Sequence, residues 1–343
     1  MIPDLFHRMQ KVVRRLLIVL LFLVAVAAAV GGAAAWWLGQ PLRMSSPSLE
    51  LEIEPGTSPR GVAQAVADAG VQTDPRWLYY WFRLSGQDRQ IRAGNYELTA
   101  GTTPRSLLQK LVRGEESLRA IIFVEGWTFR QMRAQIAKDE FLKHDTAAMT
   151  EAQIMDALGK PGLAAEGMFF PDTYTYAKGS SELAVLRRAL HAMERRLDEA
   201  WAQRAADTPL QSPYEALILA SIVEKETGHA SDRGQIAGVF INRMRVGMRL
   251  QTDPTVIYGM GEAFDGNLRR RDLQTDTPWN TYTRAGLPPT PIAVPGKASL
   301  MAAVRPEPTK AYYFVSRGDG TSHFSPNLDE HNRAVNRYIR GGN

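Results

Sequence analysis

Along the 343-residue chain the spacing of apolar and polar positions changes character several times. From Leu16 to Leu38, about 23 positions, no charged residue occurs, which is enough to cross a bilayer as a tilted helix. Next, "LELEIEPG" (49–56) alternates apolar and acidic residues with period two and stops at Pro-Gly, predicting a strand that runs into a turn. "TSPRGVAQAVADAGV" (57–71) then sets Val62, Ala65, Val66 and Ala69 at helical spacing behind a Ser/Thr cap and Pro59. The same device returns in "NYELTAGTTPRSLLQKLVRGE" (95–115), where Gly101-Thr102-Thr103-Pro104-Arg105 repeats Gly56-Thr57-Ser58-Pro59-Arg60. A fainter third copy, "IIFVEGWTFRQMRAQIAK" (121–138), keeps Gly126, Thr128 and Arg130. Two or three copies are too few for a solenoid. They predict small β-α units sharing a sheet.

Further on, helix is expected over 127–160, then an aromatic cluster in "EGMFFPDTYTY" (Phe169, Phe170, Tyr174 and Tyr176 around Pro171-Asp172). A charged amphipathic helix follows over Glu182–Arg204. A strongly apolar helix over 213–227 comes next, and another in "DRGQIAGVFINRMRVGM" (232–248). From Gln251 to Pro295 the chain is rich in Pro, Gly, Asn and Thr and predicts a long loop; a loop of that length in a compact domain is usually functional. "AYYFVSR" reads as a strand and "HFSPNLDEHNRAVNRYIR" as a closing helix.

Charge changes this picture at the N-terminus. The first fifteen residues hold Arg8, Lys11, Arg14 and Arg15 against Asp4, a net +3 of the chain's +5. The remainder therefore carries only +2, too little for a nucleic-acid footprint. With the basic cluster on its N-terminal side and Trp36-Trp37 at its other end, the apolar run predicts an anchor with residues 1–15 in the cytoplasm and everything after Gln40 outside. A cleaved signal peptide is the rival; its apolar region is typically about 7–15 residues, although "AVAAAVGGAAA" does offer small residues to a peptidase. The absence of cysteine fits an extracytoplasmic location. Six scattered histidines, no HExxH and no cysteine leave no metal or cofactor site to predict. There is no G-x-S-x-G elbow either, and Ser221 reads as a packing residue in mid-helix.

Carboxylate chemistry remains. Apolar residues run from Ala216 to Val223, broken only by Ser221, and end at Glu224 and Glu226. On a helix these two differ by about 200°, so only one faces a given cleft. Glu226 shares its side with Leu219, Ile222 and Val223, an apolar wall that would raise a carboxyl pKa and hold the proton a general acid needs. The helix alone leaves open that both are surface charges at its end. Downstream, Asn242, Gln251, Asp253, Tyr258, Asn280 and Tyr282 supply the amides, hydroxyls and rings that a carbohydrate cleft uses, with Tyr174 in the aromatic cluster. Asp253-Pro254 by itself reads as an ordinary turn.

Four segments, "LASIVEKET", "VFINRMRVGMRLQTDPTVIYGMG", "NTYTRAGLPPTPIAVPG" and "EGMFFPDTYTY", are similar to signature segments of the YceG-like family of endolytic murein transglycosylases. The likeness runs from about residue 49 to the C-terminus. It implies internal cleavage between N-acetylmuramic acid and N-acetylglucosamine in nascent peptidoglycan, leaving 1,6-anhydro ends and terminating or trimming elongation, with no cofactor. It also implies peptidoglycan synthases as partners and an inner-membrane anchor with a periplasmic catalytic domain. The catalytic glutamate, carried over from the "EKET" segment, falls on Glu226, followed by Thr227 as in the Glu-Ser/Thr pair of lysozyme-like lytic enzymes; Glu224 is the alternative. One glutamate suffices for a lytic reaction, whereas ordinary hydrolysis uses two carboxylates. Asp253 and Asp172 keep a muramidase reading open, and a non-catalytic cell-wall scaffold is the reading from another class. The repeats at 49–118, with "PRWLYYWFRLSG" between them, resemble a LysM-like glycan-binding module, or are simply good helix starts. The expected fold is α+β: a cytoplasmic tail 1–15, a transmembrane helix 16–38, a linker 39–48, the LysM-like module 49–118 and a mixed catalytic domain 119–343 with a cleft-forming loop.

Overall fold

The computed structural model describes residues 2–226 and 229–341, with side chains from residue 16. The fold is mixed α+β, and the chain divides into two compact units, Met1–Leu118 and Arg119–Asn343, each with its own core.

The first unit opens with α1 (Ile2–Gly39). Its Leu16–Gly39 segment has a mean hydropathy of 2.8 and is exposed, and is long and apolar enough to cross a membrane. Then come β1 (Ser48–Ile53), α2 (Pro59–Asp68), α3 (Pro75–Leu84), β2 (Gly94–Thr99) and α4 (Pro104–Arg113). β1 and β2 pair antiparallel, from Ser48 opposite Thr99 to Ile53 opposite Gly94. The period-two pattern decides the faces: Leu49, Leu51 and Ile53 are buried, while Ser48, Glu50 and Glu52 are exposed. The repeated Gly-Thr-Ser/Thr-Pro-Arg motif is a helix start in both copies. Gly56 and Gly101 turn the chain with φ of 84° and 93°. Ser58 and Thr103 then cap α2 and α4 by accepting the Gly61 and Ser106 N–H at 3.2 and 3.1 Å. Leu51, Val66, Leu78, Phe82, Leu98 and Leu107 fill the core beneath.

The second unit contains β3 (Leu118–Ile122), α5 (Phe129–Ala137), α6 (Glu151–Ala157), β4 (Thr173–Ala177), α7 (Glu182–Ala202) and α8 (Pro213–Glu226). It continues with α9 (Arg233–Arg245), α10 (Asp253–Met260), α11 (Arg270–Gln274), α12 (Lys297–Val304), β5 (Tyr313–Ser316), β6 (Ser322–Ser325) and α13 (Leu328–Val335). α8 begins where the Ser212 hydroxyl accepts the Glu215 N–H at 3.2 Å. It is enclosed by α7, α9, α10 and α12, so every residue from Ala216 to Val223 is buried. Ser221 has a polar task inside this helix: its hydroxyl donates to Ile218 O at 2.7 Å and accepts the Ile292 N–H at 3.0 Å, pinning the 288–295 segment to α8.

Three expectations change. The third repeat forms a strand and a helix, but β3 pairs with β4 and not with the sheet of the first two copies. The stretch 127–160 is not one helix; it breaks after Ala137, where Asp139 turns the chain by accepting the Phe141 N–H at 3.0 Å, and restarts at the Thr150 cap. The Gln251–Pro295 region is not all loop either, because α10 and α11 form inside it, and Asp253-Pro254 is the first turn of α10. These helices are too short to show a periodic pattern.

Gly167 locks the 291–293 segment against the "EGMFF" turn. Its φ is 80°, and a Cβ there would lie 2.4 Å from Pro291 Cβ. Gly167→Ala is therefore expected to destabilise the protein by about 1–3 kcal/mol, read as a lowered midpoint in thermal unfolding by circular dichroism. An unchanged midpoint would show that this close approach constrains nothing.

Candidate active site

The last residue of α8 meets five other elements around a cavity of about 400 Å³, a volume typical of small-ligand sites. Glu226 enters from α8 and Arg243 from α9, while Gln251 comes from the approach to α10 and Asp253 from its first residue. Tyr282 comes from the segment after α11, and Tyr313 and His331 from β5 and α13.

Glu226 is partly buried. Loss of water around the carboxylate pushes its pKa up to about 7; the Asp253 charge adds to this, while a hydrogen bond from Thr252 and the Arg243 charge oppose it. The Thr252 hydroxyl donates to Glu226 Oε1. Thr252 stands at the N-cap position of α10, yet its hydroxyl caps nothing in that helix. It is free for Glu226 because Thr281 and Thr255 take over the local bonds: the Thr252 N–H donates to Thr281 Oγ1 at 3.0 Å, and Thr255 Oγ1 donates to Thr252 O at 2.7 Å. All three threonines are buried.

Tyr282 donates its hydroxyl to Asp253 Oδ1 at 2.6 Å, and burial together with that carboxylate raises the phenol pKa, so the phenol stays protonated. Gln251 holds a φ of 50°, a left-handed conformation that costs a non-glycine residue about 1–3 kcal/mol. Gln251 lines the cavity. Arg243 has no carboxylate partner within salt-bridge reach among the described residues. Its Nε donates to Tyr312 O at 2.7 Å, its Nη1 to Leu250 O at 2.6 Å, and the guanidinium lies over the Tyr313 ring. His331 stacks on the same Tyr313 ring, with the two centroids 5.2 Å apart. Burial and the Arg243 and His323 charges lower its pKa, so the imidazole is neutral at neutral pH.

Of the residues singled out from sequence, Glu226, Gln251, Asp253 and Tyr282 converge on this cavity. Four others lie elsewhere. Asn242 gives its amide to Thr309 O and Ala311 O at 2.8 and 3.1 Å, bracing the run into β5. Asn280, fully buried, donates to Thr275 O at 2.7 Å and accepts the Tyr282 N–H at 2.8 Å, so it positions Tyr282. Tyr174 is buried against Phe123 with its hydroxyl on Phe170 O. Tyr258 lies edge-on to Trp279, and burial together with the nearby Glu166 carboxyl raises its phenol pKa. Glu224 points to the opposite side of α8, where it accepts the Gly296 N–H at 2.9 Å at the start of α12. Asp172 is exposed and caps its own neighbour, Thr173 N–H, at 2.7 Å. Thr227 lies outside the described residues.

Sequence reasoning missed Thr252, Thr281, Arg243, Tyr313 and His331. Thr252, Thr281 and Arg243 lie inside the quoted family segments, but nothing in their spacing marks them as neighbours of Glu226, and Tyr313 and His331 belong to elements that only the fold brings to α8. It also missed Glu166, a second buried carboxyl raised to about 7 by burial, which accepts the Phe129 N–H at 3.0 Å at the start of α5.

Known proteins share this architecture. A Bacillus subtilis protein named endolytic murein transglycosylase is 30% identical over 316 residues, 87% of each chain. One of the same name from Streptococcus pneumoniae serotype 2 is 26% identical over 282 residues, 73% of this chain, which spans about half (51%) of that relative. The crystal structure of a YceG-like protein from Listeria monocytogenes matches with a TM-score of 0.54 and 28% identity over 84% of this chain and 100% of its own. The model of the YceG-like family matches residues 51–337, from within β1 past the end of α13. With α8, its terminal glutamate and every cavity-lining element inside that match, the chain belongs to the YceG-like family.

Proposed function

We propose that this chain is a peptidoglycan lytic transglycosylase that cuts glycan strands internally between N-acetylmuramic acid and N-acetylglucosamine, with Glu226 as both acid and base. The relatives' names support peptidoglycan as the substrate. The observation that carries the mechanism is a single partly buried carboxyl with a pKa of about 7 at the base of a cavity, one of its oxygens already held by Thr252.

In the first half-reaction, neutral Glu226 gives its proton to the bridging oxygen as the bond from that oxygen to the muramic C1 breaks. The leaving sugar departs with a free hydroxyl, and positive charge develops at C1. In the second, the Glu226 carboxylate takes the proton of the muramic 6-hydroxyl while its oxygen bonds to C1, closing the 1,6-anhydro ring. The proton is back on Glu226, and no water is consumed. The neighbours suit both halves. Burial and Asp253 hold the proton on before the first transfer. The Thr252 hydroxyl and the Arg243 charge stabilise the carboxylate between the two. Asp253 favours one second reading, a muramidase with water as acceptor, because it lines the same cavity.

Glu226→Gln retains the hydrogen-bonding shape without the proton, and cleavage of purified sacculi is expected to fall by about 10²–10⁴. Glu224→Gln is expected to keep most activity. Mass spectrometry of the products should find anhydro-muramic ends, and reducing ends instead would select the muramidase. Wild-type kcat/KM should fall as pH rises above about 7, because the acid form is lost. Stability follows the same proton. The folded-state pKa is raised, so the stabilisation linked to this proton is full below the ordinary carboxylate range and is lost as pH rises through about 7. Glu226→Gln should therefore unfold like wild type near pH 4 and be more stable at pH 8, by up to about 3 kcal/mol. Normal cleavage by Glu226→Gln would sink the assignment.

The same reading has α1 cross the inner membrane with its N-terminus in the cytoplasm, the 119–343 region in the periplasm, and peptidoglycan synthases as neighbours. An extracytoplasmic reporter fused after Asn343 is expected to be active; a soluble product beginning near Gly39 would instead indicate cleavage.

The 49–118 region is proposed to bind glycan as a LysM-like module. A cleft of about 510 Å³ beside its repeat motif, lined by Arg60, Gln64, Asp74 and Tyr79, has the polar and aromatic groups for a sugar. Residues 49–118 are expected to sediment with insoluble peptidoglycan; recovery no greater than that of a control protein would leave the repeats as helix starts only.

A further inference from the structure

Among the described residues, the first unit leaves one large apolar face without a protein partner. α3 buries Leu78 and Phe82 completely, yet on its other side Trp77, Tyr80 and Leu84 are 63%, 54% and 85% exposed. Positions 77, 80 and 84 fall within about 60° around a helix, so they form one stripe. That stripe is continuous with α1. Val30, Ala33, Ala34 and Trp37 of α1 and the α3 stripe line the same cleft of about 540 Å³. α1 reaches this unit in a defined way: Trp37 packs on its core, and the Leu42 N–H donates to Thr102 O at 2.8 Å.

We infer that the exposed α3 face is seated in the outer interfacial layer of the bilayer that α1 crosses, so that the ligand of this surface is phospholipid. The inference rests on reading α1 as a membrane span. Given that reading, the depth is set by the helix. Val30 lies six residues, about 9 Å, before Trp36 along α1, so side chains seated beside Val30 are within the outer end of the hydrocarbon. Interfacial helices bury their apolar face about 5–10 Å at the headgroup boundary. Tryptophan and tyrosine are the residues that favour this layer. Arg76 and Arg83 border the stripe on one side, within about 60° of Tyr80 around the helix. Their side chains are 75% and 54% exposed and each is paired with an aspartate. Long basic side chains there keep their stems in the apolar layer and their heads among the phosphates. The membrane that solvates α1 thus covers α3, and the first unit rests on the lipid through two elements instead of hanging from one.

The chain has no cysteine, so a single reporter can be introduced in the full-length protein. Tyr80→Cys and Leu84→Cys, both at exposed positions, would carry an environment-sensitive fluorophore. Glu54→Cys, just past the end of β1 farthest from α1, serves as the reference. Each protein is reconstituted into vesicles of phosphatidylcholine and phosphatidylglycerol, with and without lipid bearing a nitroxide near the headgroup. The expected result is blue-shifted emission at 80 and 84 and quenching several-fold stronger than at 54. Quenching at 80 and 84 no greater than at 54 overturns the inference. If those labels were shielded only in native membranes, the face would belong to a protein partner, and the inference would also fail. Alkaline carbonate extraction of the same vesicles tests the underlying reading separately: protein retained but unquenched refutes the α3 contact alone, whereas protein released refutes the α1 span and the contact with it.

Discussion

The second unit is organised by the full enclosure of α8. Eight consecutive positions, Ala216 to Val223, are buried because α7, α9, α10 and α12 surround the helix. A helix that is buried all round cannot leave its terminal carboxylates to the solvent without giving them defined places. Glu224 is given the Gly296 N–H, and so holds the start of α12. Glu226 is given the Thr252 hydroxyl, and so holds the start of α10. The two acids at the end of one helix fix the entry of two others. The second lines the cavity of about 400 Å³.

This arrangement explains why Glu226 is protected from becoming an ordinary surface charge. Burial raises the carboxyl, and a single neutral hydroxyl donor is a mild counterweight; a lysine or arginine bonded in the same place would have held it ionised. Arg243 is close enough to be felt, but its guanidinium is committed to Tyr312 O and Leu250 O. The donors around Glu226 are themselves braced at one remove. Thr281 and Thr255 free the Thr252 hydroxyl, and Asn280 orients Tyr282, which holds Asp253. Of the amides that suggest sugar recognition by composition, Asn242 and Asn280 act as scaffold, because irregular backbone such as 275–296 needs side-chain donors for its carbonyls, while Gln251 lines the cavity.

The first unit follows simpler rules. Its repeat is a local device, a glycine turn, a hydroxyl cap and a proline in the first helical turn, used twice on strands that pair with each other. The third copy keeps the glycine turn and the hydroxyl cap for α5, with Thr128 accepting the Gln131 N–H, but has no proline there, and its strand serves a different sheet. The repetition therefore belongs to helix initiation and does not dictate the sheet.

Read alone, the chain determined whatever is local or set by long stretches of hydrophobicity. The membrane-compatible run, the β1 alternation, the capped helices α2, α4 and α7, and the buried course of α8 are all decided within their own residues, as is the 200° separation that makes Glu224 and Glu226 face different ways. The family's ordered motifs were legible for the same reason. Tertiary structure alone decided which glutamate meets the cavity, since that depends on where α10 and α12 dock against α8. It also decided that Asn242, Asn280, Tyr174 and Tyr258 brace the fold while Thr252, Arg243 and His331 surround Glu226. A side chain's partner across 26 or more residues, as Thr252 is to Glu226, is chosen by packing between elements, and no spacing along the chain encodes it.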